Sequence, residues 1–248
     1  MSRYVLQFYK KDNMRYISHL DLLRLFKRAF KRVGIKLVHS QGFNPHPKMS
    51  FVQPLSLGYS SAGEYLEFET AEPLTPGNIS QKLNAAMPAG VGITACKELA
   101  PSKKTLAALV DSAAYHIYMP VKQGLDWKDK IDPFLSQKQI LVEKRQKKSG
   151  KVIEQDIRPM ILSMKALEER EPGHDSGGAV SVDHNCISLT VFIKAGSNCN
   201  LNPEALLSAF CGYCGLPYGQ EPASIARMEL FYTRQPGGEL TPMLQYEA

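Results

Sequence analysis

Residues 18–34 read SHLDLLRLFKRAFKRVG and predict the clearest helix of the chain. Ser18 is a favourable N-cap residue, and Asp21 three residues later gives a capping-box arrangement. Gly34 suits the position just after the helix end. The apolar residues recur at intervals of three and four, as expected for one buried stripe: Leu22, Phe26, Ala29, Phe30 and Val33.

The segments around this helix predict a ferredoxin-like unit. An alternating apolar pattern at residues 3–9 predicts a strand before the helix. Further elements follow as strands at 35–39, 49–52 and 65–70, a helix from 75 to about 87, and a strand at 91–97. The order strand, helix, strand, strand, helix, strand is the split βαββαβ arrangement.

The same order recurs after a connector at residues 100–111. Strands are expected at 115–119, 160–167, 187–193 and 225–232, helices at 127–135 and 202–210, and a polar loop at 169–180. Segments 140–148 and 151–157 predict an additional hairpin that turns at Ser149-Gly150. We therefore predict an α+β fold of two ferredoxin-like (βαββαβ) halves in tandem, with domains at residues 1–100 and 112–248.

The overall composition is typical of a globular protein, with 44% hydrophobic and 22% charged residues. No apolar run approaches the roughly 20 residues that span a bilayer, and residues 1–11 lack the apolar segment of a signal peptide. The five cysteines are an odd number with four of them after residue 185, which is atypical of a secreted disulfide framework. We expect the protein in the cytoplasm.

Positive charge is concentrated at the start of the chain. The first fifty residues contain eleven Lys/Arg and two Asp/Glu, whereas the other 198 contain 19 and 22. A local positive field attracts polyanions, because each neutralised phosphate releases condensed counterions. The solvent side of the predicted helix carries five of these cations, which we call the cationic face: Arg24, Lys27, Arg28, Lys31 and Arg32. The alternative is a solvated helix exterior without a ligand.

The segment from His39 to Phe51 contains the most unusual loop of the chain. Asn44-Pro45 and His46-Pro47 restrict the backbone at two places, and Gly42 permits an uncommon backbone angle. Such a rigid loop suits ligand recognition, although a purely structural corner is the alternative. We predict a nucleic-acid-binding set that joins this loop to the cationic face and its neighbours: Arg15, Arg24, Lys27, Arg28, Lys31, Arg32, Gln41, Phe43, Asn44, His46, Lys48 and Arg158. Phe43 and the neighbouring Tyr16 are candidates for stacking on bases.

Three histidines lie in the same region, at His19, His39 and His46. Their spacing matches no zinc signature, so no metal site is predicted. Acid–base chemistry is more plausible, because histidine titrates near neutral pH. The candidate catalytic residues are therefore His19 and His46, with Lys48 to stabilise charge.

Two further motifs have weaker signals. Cys211-Gly212-Tyr213-Cys214 is a lone CxxC at the end of a predicted helix, and we interpret it as buried or incidental thiols. A basic hairpin at residues 144–151 leads to Arg158 and is a second candidate for phosphate contact. The chain contains none of the motifs GxxxxGK[ST], strand-linked GxGxxG, HExxH, GxSxG or the CxxxCxxC of a radical-SAM cluster, and no cofactor is predicted.

The motifs MRYISHLD (14–21), SQGFNPHPK (40–48), GEYL (63–66) and DIRP (156–159) resemble a bacterial family of unknown function, the radical-SAM-linked proteins. In that family the domain occurs alone or fused behind a cobalamin-binding radical-SAM module. Free-standing members tend to accompany a radical-SAM protein and a ribonuclease of the RNase E/G type. The resemblance implies an accessory role in RNA or ribosome-related modification or processing, and it implies no catalytic residues.

Three hypotheses follow. The first is an accessory protein that binds tRNA or rRNA, partners a radical-SAM enzyme and has no catalytic activity, small-molecule cofactor or membrane contact. The second is an RNA-processing or RNA-modifying enzyme that uses His19 and His46 as acid and base. The third is a protein-docking module whose cations contact an acidic patch on a radical-SAM partner without nucleic acid.

Overall fold

The computed structural model describes residues 1–102, 104–121, 126–145, 150–167, 186–219, 222–234 and 238–247. The helices are α1 (His19–Arg32), α2 (Pro76–Asn84), α3 (Ile131–Leu135) and α4 (Pro203–Cys214). The strands are β1 (Ser2–Lys10), β2 (Met49–Phe51), β3 (Ser60–Thr70), β4 (Val91–Leu99), β5 (Val110–Pro120), β6 (Leu141–Arg145), β7 (Val152–Asp156), β8 (Ile161–Ala166), β9 (Cys186–Lys194), β10 (Ser224–Thr233) and β11 (Leu240–Pro242). The α+β class is confirmed.

The first half, from β1 to β4, has the strand order β4-β1-β3-β2 with antiparallel neighbours. The second half contains β5, α3, β8, β9, α4 and β10, and its strands lie in the equivalent order β10-β5-β9-β8. Both orders are those of a βαββαβ unit, so the two ferredoxin-like halves are confirmed. The hairpin β6–β7 is inserted into the second half as a separate two-stranded sheet.

The two halves share one sheet, which element order alone did not predict. Ser60 and Ser61 of β3 pair in parallel with Ala226 and Arg227 of β10, and this pairing joins all strands but β6 and β7 into a nine-stranded sheet. The proposed boundary, residues 101–111, covers the connection from β4 to β5 and the first two residues of β5. That connection contains a short 3-10 turn at Leu106–Ala108.

Several predicted elements differ from those observed. Residues 35–39 form isolated bridges, Leu37 with Thr70 and His39 with Pro47, instead of a strand. The reason is that β2 already pairs with β3 up to Phe68, so little of the β3 edge remains free to pair with residues 35–39. The second helix ends at Asn84, earlier than predicted, and β11 was not anticipated. The predicted polar loop at 169–180 lies outside the described residues.

Two apolar clusters stabilise the halves. In the first half, α1 and α2 cover the side of the sheet that carries Tyr4, Leu6 and Phe8. In the second half, the cluster joins α3 and α4 to β5 and β9 and extends to Tyr65 of the first half. No helix in the described ranges is long and apolar enough to cross a membrane.

Gly63 lies where β3 meets β10. A Cβ atom built on Gly63 would be 2.5 Å from the carbonyl oxygen of Met228, which is closer than atoms can approach. We expect Gly63→Ala to lower the free energy of unfolding by about 1–3 kcal/mol, because backbone must move to relieve the overlap. Urea unfolding measures the effect.

The matched control for this prediction is Gly77→Ala in α2. Open space surrounds Gly77, with no atom within 4 Å of the added Cβ, and alanine is the better helix former. This control variant is expected to be as stable as the parent or slightly more stable. Equal destabilisation by both substitutions would contradict a close approach at the β3–β10 contact.

Candidate nucleic-acid interface

Helix α1 begins and ends as its sequence predicts. Ser18 is the N-cap: its Oγ accepts a hydrogen bond from the Asp21 N–H at 3.1 Å and donates one to the Asp21 carboxylate at 2.7 Å. The hydrogen bond from Ser18, followed by one from Arg24, lowers the pKa of Asp21. Phe26 contacts the ring of Phe8 with a centroid distance of 4.9 Å, which anchors the apolar side of α1 to the sheet.

The cationic face therefore points away from the sheet. Arg24 forms an ion pair with Asp21 at 2.9 Å, so one of the five cations has an acidic partner on its own helix. Arg32 reaches the carbonyl of Ala86 at 3.5 Å. Within the described ranges, no carboxylate lies at ion-pair distance from Lys27, Arg28 or Lys31. These three side chains are available for an external anion.

The loop at residues 39–48 (the 39–48 loop) follows α1 and has a closed base. The Ser40 N–H donates to the His46 carbonyl at 2.8 Å, and the His46 N–H donates to Ser40 Oγ at 3.0 Å. Gly42 has a φ of +126°, a conformation that L side chains rarely adopt. Phe43, at the tip of the loop, is fully exposed, with a relative accessibility of 113%. Lys48 pairs with Glu69 of β3 at 2.8 Å.

The candidate histidines have different partners among the described residues. His19 is exposed and packs edge-on against Phe51, the last residue of β2, with ring centroids 5.2 Å apart. His46 lies in the loop before β2, and His39 Nδ1 lies 3.1 Å from the Leu37 carbonyl oxygen. No hydrogen bond links His19 to His46, and the described residues contain no cluster of His, Cys, Asp and Glu that could hold a metal.

Like Arg24 and Arg32, two further predicted contact residues use their guanidinium groups within the protein. Arg15 lies over the exposed ring of Tyr16 at 4.8 Å from its centroid and donates to the Tyr16 hydroxyl at 2.6 Å. Arg158 lies in the second half, where it donates to the main-chain carbonyls of Leu135 at 2.6 Å and Ile161 at 3.2 Å. Of the basic hairpin, residues 146–149 lie outside the described residues.

Sequence reasoning missed a buried charged cluster between the halves. Arg227 donates through Nε to Glu64 at 2.7 Å, and Lys10 donates to the carbonyl oxygen of Arg15 at 3.1 Å. Lys10, Glu64 and Arg227 are each at most 3% exposed. Burial lowers the pKa of Lys10, and the charge of Glu64 opposes this shift. The sequence did contain a signal that Lys10 is buried. Side chains alternate along a strand, and Lys10 lies two residues after Phe8, on the same inward side of β1.

The CxxC lies in the last turn of α4. Cys211 is fully buried, and its Sγ is 3.9 Å from the sulfur of Met119. Burial, with a smaller effect of Cys214, raises the pKa of Cys211 to about 11. A thiol with a raised pKa is a poor nucleophile at neutral pH, because the thiolate is the reactive form.

Residues 3–203 match the model of the family described as "Uncharacterized protein conserved in bacteria (DUF2344)". No match is found among curated proteins. A similar solved structure is described as "Crystal Structure of a Cbf5-Nop10-Gar1 Complex", with 10% identity and a TM-score of 0.49 over 95% of this chain and 51% of that chain. The present chain thus spans about half of that relative's length.

A second similar structure is described as "Crystal structure of putative glycine cleavage system transcriptional repressor". It has 11% identity and a TM-score of 0.23, over 90% of this chain and 95% of that chain. With TM-scores below 0.5, neither likeness carries an argument about what this chain binds.

Proposed function

Taking this chain as a member of the bacterial family DUF2344, to which it belongs, we propose that it is an accessory RNA-binding protein. It binds a tRNA or rRNA segment in the cytoplasm and presents it to a radical-SAM enzyme. The enzyme is inferred from the motifs at residues 14–21 and 40–48, which resemble those of radical-SAM-linked proteins. The protein itself performs no catalytic step.

The observation that carries the RNA-binding proposal is the unpaired charge on α1. Lys27, Arg28 and Lys31 lie on a helix whose opposite side is anchored to the sheet, so their positions are preorganised. Cations without carboxylate partners attract phosphates. Arg28 and Lys31 are exposed and Lys27 is partly exposed, so binding a phosphate there costs little desolvation. Tyr16, 59% exposed beside Arg15 and three residues before α1, offers a ring for base stacking.

The geometry favours binding over catalysis. A general acid and base must both reach the reacting group, and His19 packs on Phe51 without a hydrogen bond to His46. Lys48, the third candidate, already forms an ion pair with Glu69. These contacts give the enzyme hypothesis less support than the accessory one.

The test is RNA binding across a salt series, measured by fluorescence anisotropy with labelled tRNA and rRNA fragments. We expect the affinity of the parent protein to fall steeply with salt. In the triple variant Lys27→Ala, Arg28→Ala, Lys31→Ala, the slope of log affinity against log salt should become less negative by about 2, since each lost phosphate contact removes roughly 0.7.

A charge-matched control removes three lysines from the second half: Lys128→Ala, Lys130→Ala and Lys138→Ala. These side chains are exposed and lie away from α1, so this variant should keep the parent slope. Absent or salt-independent binding by the parent protein would refute the proposal. The same slope change in both triple variants would show that the net charge of the protein, and not the position of the cations on α1, determines the salt dependence.

A further inference from the structure

The 39–48 loop and the cationic face differ in chemistry although they adjoin in sequence. Residues 39–47 contain no Lys, Arg, Asp or Glu. The flanking Lys48 is neutralised by Glu69 at 2.8 Å. The loop therefore has no Lys, Arg, Asp or Glu at its tip, where Phe43 and the side chains of Gln41, Asn44 and His46 are all exposed.

The loop holds this tip in one conformation. Two hydrogen bonds join Ser40 to His46, and a bridge joins His39 to Pro47 directly beneath them. Pro45 restricts the chain between Phe43 and the closed base. A preorganised loop loses little conformational entropy when it binds, so more of its contact energy appears as affinity.

Phe43 has no ring partner among the described residues. Its ring is fully exposed and forms none of the aromatic pairs found among the described residues, whereas Phe8, Phe26 and Phe51 pack on one another. Aromatic side chains with a polar surround are typical anchors at protein–protein interfaces, where they fill a pocket and contribute a large share of the affinity.

We propose that the 39–48 loop is a protein-docking anchor, with Phe43 inserted into an uncharged apolar pocket of a partner protein. A nucleobase is the less favoured occupant, because phosphates on either side of a stacked base require cations that this loop lacks. The inference rests on the proposed function only in that the accessory protein has a protein partner.

The experiment places a photocrosslinking residue at the loop tip of the full-length chain in living cells of the source bacterium. Phe43→p-benzoyl-phenylalanine should give a discrete protein adduct that resists nuclease treatment. The control, Leu141→p-benzoyl-phenylalanine, puts the same group at a 53% exposed position in β6 and should not give that adduct. An RNA adduct at position 43, or no specific adduct, overturns the inference.

The crosslinked protein is then identified and purified, and its affinity is measured by calorimetry. Phe43→Ala should weaken binding about 30-fold, which corresponds to a hot-spot contribution of roughly 2 kcal/mol. Phe43→Leu should retain part of the affinity. An unchanged affinity in Phe43→Ala overturns the inference.

The RNA-binding proposal and the docking proposal can be refuted independently. The triple alanine variant of α1 should keep the protein adduct at position 43. Loss of RNA binding in Phe43→Ala would assign the loop to RNA and overturn the docking anchor.

Discussion

Replacing Glu64 with Gln is expected to lower the free energy of unfolding by about 3–5 kcal/mol, because it leaves buried cations without a counter-charge. Glu64 is the carboxylate that pairs with Arg227, and Lys10 is buried in the same cluster. All three are within 3% of complete burial. An amide keeps the shape of the side chain but removes the charge, so urea unfolding of this variant isolates the electrostatic effect.

The matched control is Glu69→Gln, the same substitution on the same strand. Glu69 pairs with Lys48 at 2.8 Å, but the two side chains are 32% and 45% exposed. Exposed ion pairs contribute at most about 1 kcal/mol, so the control should unfold nearly as the parent does. Similar losses of stability in Glu64→Gln and Glu69→Gln would show that burial does not increase the contribution of the Glu64 charge.

A second substitution sharpens the test of this cluster. Adding Arg227→Met to Glu64→Gln removes the cation that lost its partner, and the double variant should be more stable than Glu64→Gln alone. The recovery should be partial, since Lys10 stays buried. A double variant whose loss equals the sum of the single losses would indicate that the two side chains do not interact.

Phe26→Ala is expected to lower the free energy of unfolding by about 3–5 kcal/mol. Phe26 is fully buried and contacts both Phe8, at a centroid distance of 4.9 Å, and Phe51, at 5.7 Å. Its removal opens a cavity between α1 and the sheet. Because three unpaired cations lie on the same helix, RNA affinity should decrease with the folded fraction.

The control for this prediction is Leu20→Ala on the outward side of α1. Leu20 is 60% exposed, and substitutions at such positions usually change stability by less than about 0.5 kcal/mol. Comparison of the two variants by thermal and urea unfolding separates core packing from helix propensity, because both place alanine in the same helix. A large loss of stability in Leu20→Ala would contradict the exposed position of this side chain.

Local sequence predicted α1 well because its signals are short-range. The Ser18 cap, the apolar stripe through Phe26 and the residue after the helix end all act within one or two turns. The order of strands and helices in each half was predictable for the same reason. The strand predicted at 35–39 was wrong. Whether these residues form a strand depends on how much of the β3 edge is already paired with β2, and only the tertiary structure determines that.

The candidate site combines features set by residue type with contacts set by the tertiary structure. The charge of the cationic face and the stiffness of the 39–48 loop follow from residue types alone, whereas the pairing of Lys48 with Glu69 joins residues 21 positions apart. The packing of His19 on Phe51 joins residues 32 positions apart. Sequence spacing carries no information about such distances.

The amino-acid sequence by itself determined the basic amino-terminal helix, its caps, the βαββαβ order and the proline-stiffened loop, because local propensity and periodicity specify each of them. Only the tertiary structure decided that β3 pairs with β10 and that Lys10, Glu64 and Arg227 meet in the interior. Arg227 and Glu64 are 163 residues apart. They come into contact because β3 pairs with β10, and the register of this long-range pairing is not specified by local sequence.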